Sequence, residues 1–226
     1  MIRTTPALAE QVYEAILDDI CSGGLTPGTH LKQEELAARL GVSRQPVQQA
    51  MALLKADGLV EEVGKRGLCV SHLDIDLMHH HYEVRALLDG LAARLSARKL
   101  AENGAARKRF EKQSSAILAA GNRAVENGDV PEMIRQDEAF HQLFYETSGN
   151  PLLAATAEPH WRFLRRVMGD VLRKAEPPHD IWRQHGKIAD AALAGNRKRA
   201  EKLMRKHAIR AADLLATNTG EGANPS

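Results

Sequence analysis

Four side chains that can bind a metal ion occupy positions where the surrounding pattern predicts apolar residues. Asp137 and His141 lie four residues apart in a segment with helical periodicity, so both project from one face of the helix. His185 and His207 replace apolar residues on the inner stripes of two later helical segments. A single inward histidine is usually a satisfied core residue, but burying four ionisable groups without compensation is costly. One bound cation would satisfy all four, so the spacing predicts a metal site.

The donor set indicates which metals fit. One carboxylate and three imidazoles suit Zn²⁺, with Ni²⁺, Mn²⁺ or Fe²⁺ as alternatives, and disfavour metals that prefer thiolates. Three kinds of protein are compatible with such a site: a regulator that binds metal and a small ligand, a pure metal sensor, and a metal-dependent enzyme of helical-bundle type that activates water. No nucleophile motif or additional unpaired carboxylate stands near the four positions in the sequence, which argues against the enzyme.

Residues 79–81, three consecutive histidines, invite a second metal interpretation. Successive side chains on a helix point about 100° apart, so the three imidazoles cannot converge on one ion. We therefore interpret this run as a solvated helix start.

Composition restricts the class of protein. The chain has 226 residues, 43% of them hydrophobic and 4% aromatic, and its abundance of Ala and Leu favours packed helices. It lacks the run of about 18 apolar residues that a membrane span needs, and its charged N-terminus is unlike a signal peptide. Cys21 and Cys69 form neither a disulfide framework nor a CxxC motif. We expect a cytoplasmic protein with no membrane partner.

The first 72 residues predict a winged helix-turn-helix domain. A tight turn at Gly41 separates two helical segments, which is the spacing of a helix-turn-helix, and Ser43 is a good N-cap for the second. Two short apolar runs after residue 58 flank a glycine-bounded basic tip, as in a hairpin. The predicted elements are helices over about 6–21, 33–40 and 44–54 and strands over 59–63 and 68–70.

The helix that starts after Ser43 presents a polar face opposite its apolar stripe. Arg44, Gln45, Gln48 and Gln49 on that face are side-chain types that reach base edges and phosphates in a major groove. Residues 1–72 carry 7 Lys+Arg against 9 Asp+Glu, so any attraction to phosphate must come from a local patch. DNA reading and an ordinary solvated surface helix both fit these residues.

This region resembles the signature of the GntR family of bacterial transcription regulators. The resemblance implies a winged helix on double-stranded DNA, with its recognition helix in the major groove and its hairpin tip at the minor groove or backbone. Gln48 stands where the family usually has arginine, and Gln45 where threonine is more usual, so the docking mode carries over but the operator sequence does not. The matching positions are Leu31, 35–37, 40–44, 46–47, Ala50, Leu53 and 58–60. The implied DNA contacts are Ser43, Arg44, Gln45, Gln48, Gln49, Lys65, Arg66 and Gly67.

Residues 73–216 predict an all-α bundle of six helices, and the small, polar tail 217–226 is predicted to be disordered. The apolar stripe of the first of these helices is expected to face the core. Its members are Leu77, Val84, Leu88, Leu91 and Leu95. The predicted helices cover 76–101, 104–127, 131–148, 151–175, 179–194 and 197–216. The fold class is therefore mostly α.

The bundle resembles the FCD ligand-binding domain of one GntR branch. Residues 82–85 with Leu88 and 91–93 match its first helix, and 137–141 with 149–152 match its central motif. The resemblance implies Asp137, His141, His185 and His207 as metal ligands and a small organic acid as effector. It also implies Arg85 as the charged partner of that acid; the alternative for Arg85 is a surface salt bridge with Glu83 or Asp89. Asp89 stands where glutamate is commoner in the family. Other basic side chains that could reach an acid are Arg135, Arg165 and Arg166.

Together these features predict a metabolite-responsive bacterial transcription regulator. We expect a homodimer whose two winged helices bind a pseudo-palindromic operator. Repression relieved by the effector is the commoner arrangement in the family, with activation as the alternative. The effector must prefer one dimer geometry, because a ligand that binds both equally changes nothing.

Overall fold

A computed structural model describes residues 8–64, 67–173 and 179–219. Within these ranges the chain forms an N-terminal helix-turn-helix with a two-stranded wing, followed by a bundle of six helices, which confirms the predicted fold class. The elements are α1 (Leu8–Ser22), α2 (Gln33–Leu40), α3 (Arg44–Ala56), β1 (Val60–Val63), β2 (Gly67–Val70), α4 (Ile75–Glu102), α5 (Gly104–Asn127), α6 (Val130–Ser148), α7 (Leu152–Leu172), α8 (His179–Leu193) and α9 (Arg197–Thr219).

The turn between α2 and α3 depends on Gly41. Its φ of 66° lies in the left-handed region that favours glycine, and it ends α2 as the C-cap. Ser43 is the N-cap residue of α3, but its side chain makes no capping hydrogen bond and is exposed. The buried stripe of α3 packs on α1, where Ile16 and Leu17 are fully buried. This small core fixes the angle at which α3 is presented.

The wing is an antiparallel hairpin. Val60 pairs with Val70 and Val63 with Gly67, and an isolated bridge joins His30 to Cys69. The bridge places the segment before α2 beside β2.

The helical bundle is arranged around α4, which contacts every other helix of the bundle. Side-chain oxygens of Asp74, Asn103 and Asp129 cap the starts of α4, α5 and α6 by accepting hydrogen bonds from backbone N–H groups. Gly128 and Gly149 end α5 and α6 in the left-handed conformation. These short, capped connections hold neighbouring helices side by side. Among the described residues, no helix combines the length and the apolar character required to cross a bilayer.

Two predictions about the bundle were wrong in detail. Leu77 and Val84 were expected to face the core, but both are exposed. The buried face of α4 is lined instead by small residues such as Ala93 and Ala97, which let neighbouring helices approach closely. In addition, α9 extends to Thr219, so residues 217–219 of the predicted disordered tail are helical.

Candidate metal site and DNA-reading helix

Three helices bring the four predicted metal ligands together. Asp137 and His141 lie one turn apart on α6, His185 lies on α8 and His207 on α9. One donor atom from each lies within 4.8 Å of the others, and this is the cluster of potential metal ligands found in the described residues. The three histidines are buried and Asp137 is 13% exposed. The spacing argument therefore places four side chains from distant parts of the chain around one point.

The distances at this point suit a metal ion. His185 Nε2 lies 3.1 Å from His207 Nε2 and 3.3 Å from Asp137 Oδ1. Tetrahedral coordination with bonds of about 2.0–2.1 Å separates neighbouring donors by roughly 3.4 Å. Other donors of the set lie up to 4.8 Å apart, so these side chains must move closer together to hold Zn²⁺ or a similar ion.

Burial also shifts the pKa values of the proposed ligands. Desolvation, reinforced by the neighbouring imidazoles, holds the pKa of His185 well below its ordinary value. Desolvation does the same to the pKa of His207, together with the nearby His141. Both rings are consequently neutral near pH 7 and keep a lone pair for a metal ion. Burial raises the pKa of Asp137, which makes metal binding by that carboxyl sensitive to pH.

A second layer of side chains orients the imidazoles. His207 Nδ1 lies 3.3 Å from Gln184 Oε1, an arrangement in which Nδ1–H donates and Nε2, which faces His185 Nε2, carries the lone pair. His141 Nδ1 lies 3.1 Å from Asp89 Oδ2. A partner such as Gln184 fixes the tautomer of a histidine ligand, which supports the metal interpretation at His207.

Arg85 occupies the centre of a buried polar cluster, not a surface salt bridge. Its Nε donates to Asp89 Oδ2 at 3.0 Å and its Nη2 lies 2.9 Å from His141 Nε2. The guanidinium carbon lies 3.7 Å from the ring centre of Trp161, and Tyr145 donates to the other oxygen of Asp89. The sequence offered Glu83 and Asp89 as salt-bridge partners of Arg85 at the surface. The pair with Asp89 is present, but it is buried in the core.

Burial alone would raise the pKa of Asp89, but His141 and Arg85 outweigh it and hold that pKa well below the usual range. Asp89 is therefore ionised and balances the Arg85 charge. The sequence offered Asp89 as a partner of Arg85 from their i, i+4 spacing, but at the surface and not in the core.

A small cavity is lined by two of the four proposed ligands, Asp137 and His207. Its volume is about 50 Å³, far below the roughly 300–1,000 Å³ of typical ligand pockets. Polar atoms come from Arg85, Asp137, Tyr82 and His207, and most of the remaining wall is apolar. The apolar wall includes Met133, Ile134, Met168, Leu172, Ile181 and Trp182. A ligand that enters must be small or must widen the cavity.

The other basic candidates do not reach this cavity. Arg135 pairs with Glu132 on the exposed side of α6, and Arg165 and Arg166 contact the winged helix. The three consecutive histidines do not converge: His81 stacks on Phe163 and its Nδ1 lies 2.9 Å from His160 Nδ1, whereas His80 is exposed.

The polar face of α3 is free for a ligand. Ser43, Arg44, Gln45, Gln48 and Gln49 are all exposed, on the side opposite the buried Val47 and Met51. Arg44 Nη2 lies 2.7 Å from Glu34 Oε1 of α2, an acidic neighbour that the local sequence did not reveal. Of the predicted wing contacts, Gly67 is partly buried, and Lys65 and Arg66 lie outside the described residues.

Comparison with known proteins identifies a family for the winged helix and for the helical bundle. Residues 80–210 match the family described as FCD domain, and residues 8–70 match "Bacterial regulatory proteins, gntR family". The "Probable D-xylose utilization operon transcriptional repressor" of Paenarthrobacter nicotinovorans is 30% identical over 98% of this chain and 93% of its own length. The "HTH-type transcriptional repressor RspR" of Escherichia coli K12 is 25% identical over 91% and 88%.

A solved structure shows the same fold over nearly the whole chain. E. coli McbR/YncC superposes with a TM-score of 0.80 at 18% identity, covering 96% of this chain and 100% of that one. The family and these relatives are transcription regulators and not enzymes. The chain therefore belongs to the GntR family of bacterial regulatory proteins, in the group that carries an FCD domain, and is a transcription regulator with a DNA-binding helix-turn-helix.

Proposed function

We propose that this regulator is a metabolite-responsive repressor whose bundle binds a divalent metal ion, Zn²⁺ in the first instance, and a small organic acid. One observation carries the proposal: three buried histidines and the partly buried Asp137 converge within 4.8 Å beside a buried arginine and a cavity. Two relatives named as repressors support repression over activation. As a DNA-binding protein of a bacterial family, it would act in the cytoplasm.

Each residue of the site has a distinct task in this proposal. Asp137, His141, His185 and His207 would hold the ion, which supplies a Lewis-acidic centre for a carboxylate when bound. Arg85 would bind the acid through charge-assisted hydrogen bonds, since its guanidinium lines the same cavity. The apolar wall would exclude water and limit the size of the acid. Release from DNA follows if the acid binds one dimer geometry more tightly than the other.

The test is an anisotropy titration at fixed salt on an operator selected from random duplexes with this protein. Small mono- and dicarboxylates are added to chelator-treated and to Zn²⁺-loaded protein. We expect acid to lower operator affinity only in the loaded protein, by roughly 5- to 150-fold as is usual for allosteric effectors. No response to any acid in loaded protein would remove the acid from the proposal.

A second candidate function is sensing of the metal ion itself. The small volume of the cavity favours it, because about 50 Å³ accommodates an ion and a few waters without any movement. In the same titration, a metal sensor would change its operator affinity on addition of Zn²⁺ alone and ignore every acid.

DNA contact by the face of α3 is also a proposal, with Ser43, Arg44, Gln45, Gln48 and Gln49 in the major groove and Lys65, Arg66 and Gly67 at the wing. Arg44→Ala is expected to weaken binding to the selected operator by about 1–3 kcal/mol if Arg44 reads a base. The pair with Glu34 is exposed on both sides, so releasing Arg44 costs little.

The matched control for Arg44→Ala is Arg183→Ala, which removes an exposed arginine of the bundle. A loss of equal size on operator and on random DNA would make Arg44 a phosphate contact and contradict base reading.

We further propose a homodimer on a pseudo-palindromic operator, formed through the outer face of α4. Leu77, Val84 and Leu87 are 37%, 42% and 59% exposed on the side away from the buried face, which suits a second copy of the chain. Val84→Glu should shift sedimentation towards the monomer, whereas Leu152→Glu, at an exposed leucine on α7, should not. A monomeric wild type would contradict the proposal.

A further inference from the structure

Helix α7 contacts the candidate metal site and the winged helix with different faces. On one face, Trp161 stacks on Arg85, and Met168 and Leu172 line the cavity. On the other face, Gly169 lies so close to the backbone of Cys21 in α1 that a Cβ at this position would overlap the Cys21 carbonyl. One rigid helix is thus in contact with both functional regions of the regulator.

Arginines on the second face connect α7 to three parts of the winged helix. Arg166 donates to the carbonyl oxygens of Leu59 and Ser71. Arg162 Nη1 lies 3.5 Å from Asp57 Oδ2, at the C-cap of the reading helix α3. The orientation of α3 relative to the bundle therefore depends on α7.

Arg165 differs from these arginines because it faces an acidic group of α1 and an acidic group of a second bundle helix, α6. Its Nη1 donates to Glu14 Oε2 of α1 at 3.0 Å, and its Nη2 lies 3.4 Å from the other oxygen of Glu14. Its Nε lies 3.7 Å from Glu138 Oε2 of α6. The three side chains are 17%, 40% and 28% exposed, so solvent screens them only partly.

The contact between Arg165 and Glu138 is incomplete. Arg165 Nε is buried and has no hydrogen-bond partner among the described residues, and 3.7 Å is about half an ångström beyond hydrogen-bond range. A buried donor without a partner is unfavourable, so a small movement of α6 towards α7 would be stabilised. Glu138 directly follows Asp137 on α6, so a shift of this helical turn when Asp137 binds a metal ion would move Glu138 as well.

We propose that Arg165 is a positioning residue that transmits the state of the metal site to the DNA-binding region. Binding of the ion by Asp137 closes the Glu138–Arg165 contact, and Arg165 passes the displacement to Glu14 and α1. The inference rests on the proposed metal site, but it assigns a role to three side chains outside the ligand set. It also explains why two of the arginines considered for effector binding face away from the cavity.

The experiment measures hydrogen exchange of α1 backbone amides in the full chain, with chelator and with Zn²⁺. The chain of contacts from Glu138 through Arg165 to Glu14 is called the relay. The variants are Glu138→Gln, at its bundle end, and Glu14→Gln, at its winged-helix end. Glu132→Gln is the matched control, because it removes an α6 carboxylate whose ion pair, with Arg135, lies within α6. Zn²⁺ affinity is followed separately by tryptophan fluorescence, so metal binding and its transmission have independent readouts.

We expect Zn²⁺ to slow exchange in α1 of the wild type and of Glu132→Gln. In both relay variants the Zn²⁺-dependent change should fall by at least roughly half, with Zn²⁺ affinity retained within about threefold. A purely structural role would raise exchange equally with and without Zn²⁺, and that result would overturn the relay. So would a full Zn²⁺ response in Glu138→Gln, or Zn²⁺ binding to the wild type without any change in α1. Failure of the wild type to bind Zn²⁺ would instead overturn the proposed metal site and the relay with it.

Discussion

Replacing Asp89 by alanine is expected to lower the free energy of unfolding by about 3–5 kcal/mol, the usual cost of removing one partner from a buried ion pair. Asp89 is fully buried, and it accepts hydrogen bonds from Arg85 and from Tyr145. Without it, the Arg85 charge stays in the core without its carboxylate partner, and the Tyr145 hydroxyl loses its acceptor. Urea denaturation of the metal-free protein, followed by circular dichroism, measures the loss.

Two further variants separate charge from volume. Asp89→Glu keeps the carboxylate and adds one methylene, so it should cost less than the alanine variant, on the order of 1–3 kcal/mol for overpacking. Asp180→Ala breaks the exposed pair with Arg183 and should cost no more than about 1 kcal/mol. If Asp89→Ala were no more destabilising than Asp180→Ala, the buried Arg85–Asp89 pair would not be a stabilising element of the bundle.

The same cluster shows what the sequence could and could not predict. Helical periodicity located the helices, and i, i+4 spacing put Asp137 and His141 on one face, because both signals lie within a few residues of the chain. The direction of a face is different: α4 has a clear leucine stripe, but Leu77 and Val84 point outwards. Its core side is occupied by alanines and by the Arg85–Asp89 pair. Periodicity shows which residues share a face of a helix, but not which face packs against neighbouring helices.

The contacts between the two regions were beyond local reasoning. Arg165 and Glu14 are 151 positions apart, and Arg166 and Ser71 are 95 apart. In the sequence, these arginines differed in no way from Arg135, which pairs with its own helix. Only the approach of α1 to α7 at Gly169 distinguishes them, and that approach is a property of tertiary packing.

His185→Ala is expected to weaken Zn²⁺ binding by at least roughly a hundredfold, more than the 10- to 100-fold typical for loss of a supporting residue around a metal. His185 Nε2 lies within 3.3 Å of donors from both α6 and α9, so its removal opens the centre of the site. The chain provides its own probe, since both of its tryptophans adjoin the ligands. The Trp182 ring centre lies 5.0 Å from that of His185, and the Trp161 ring centre 5.2 Å from that of His141. Tryptophan fluorescence during competition with a chelator therefore measures the affinity.

The interpretation of that result depends on two comparisons. His80→Ala removes an exposed histidine and should leave Zn²⁺ affinity unchanged, which excludes surface binding. Gln184→Ala removes only the group beside His207 Nδ1 and should weaken binding by about tenfold, between the control and the ligand variant. Operator binding by metal-free His185→Ala should match the metal-free wild type, because α3 is remote from the change. Full Zn²⁺ occupancy in His185→Ala would exclude His185 from the ligand set, and the cluster would then be a buried histidine network without a metal.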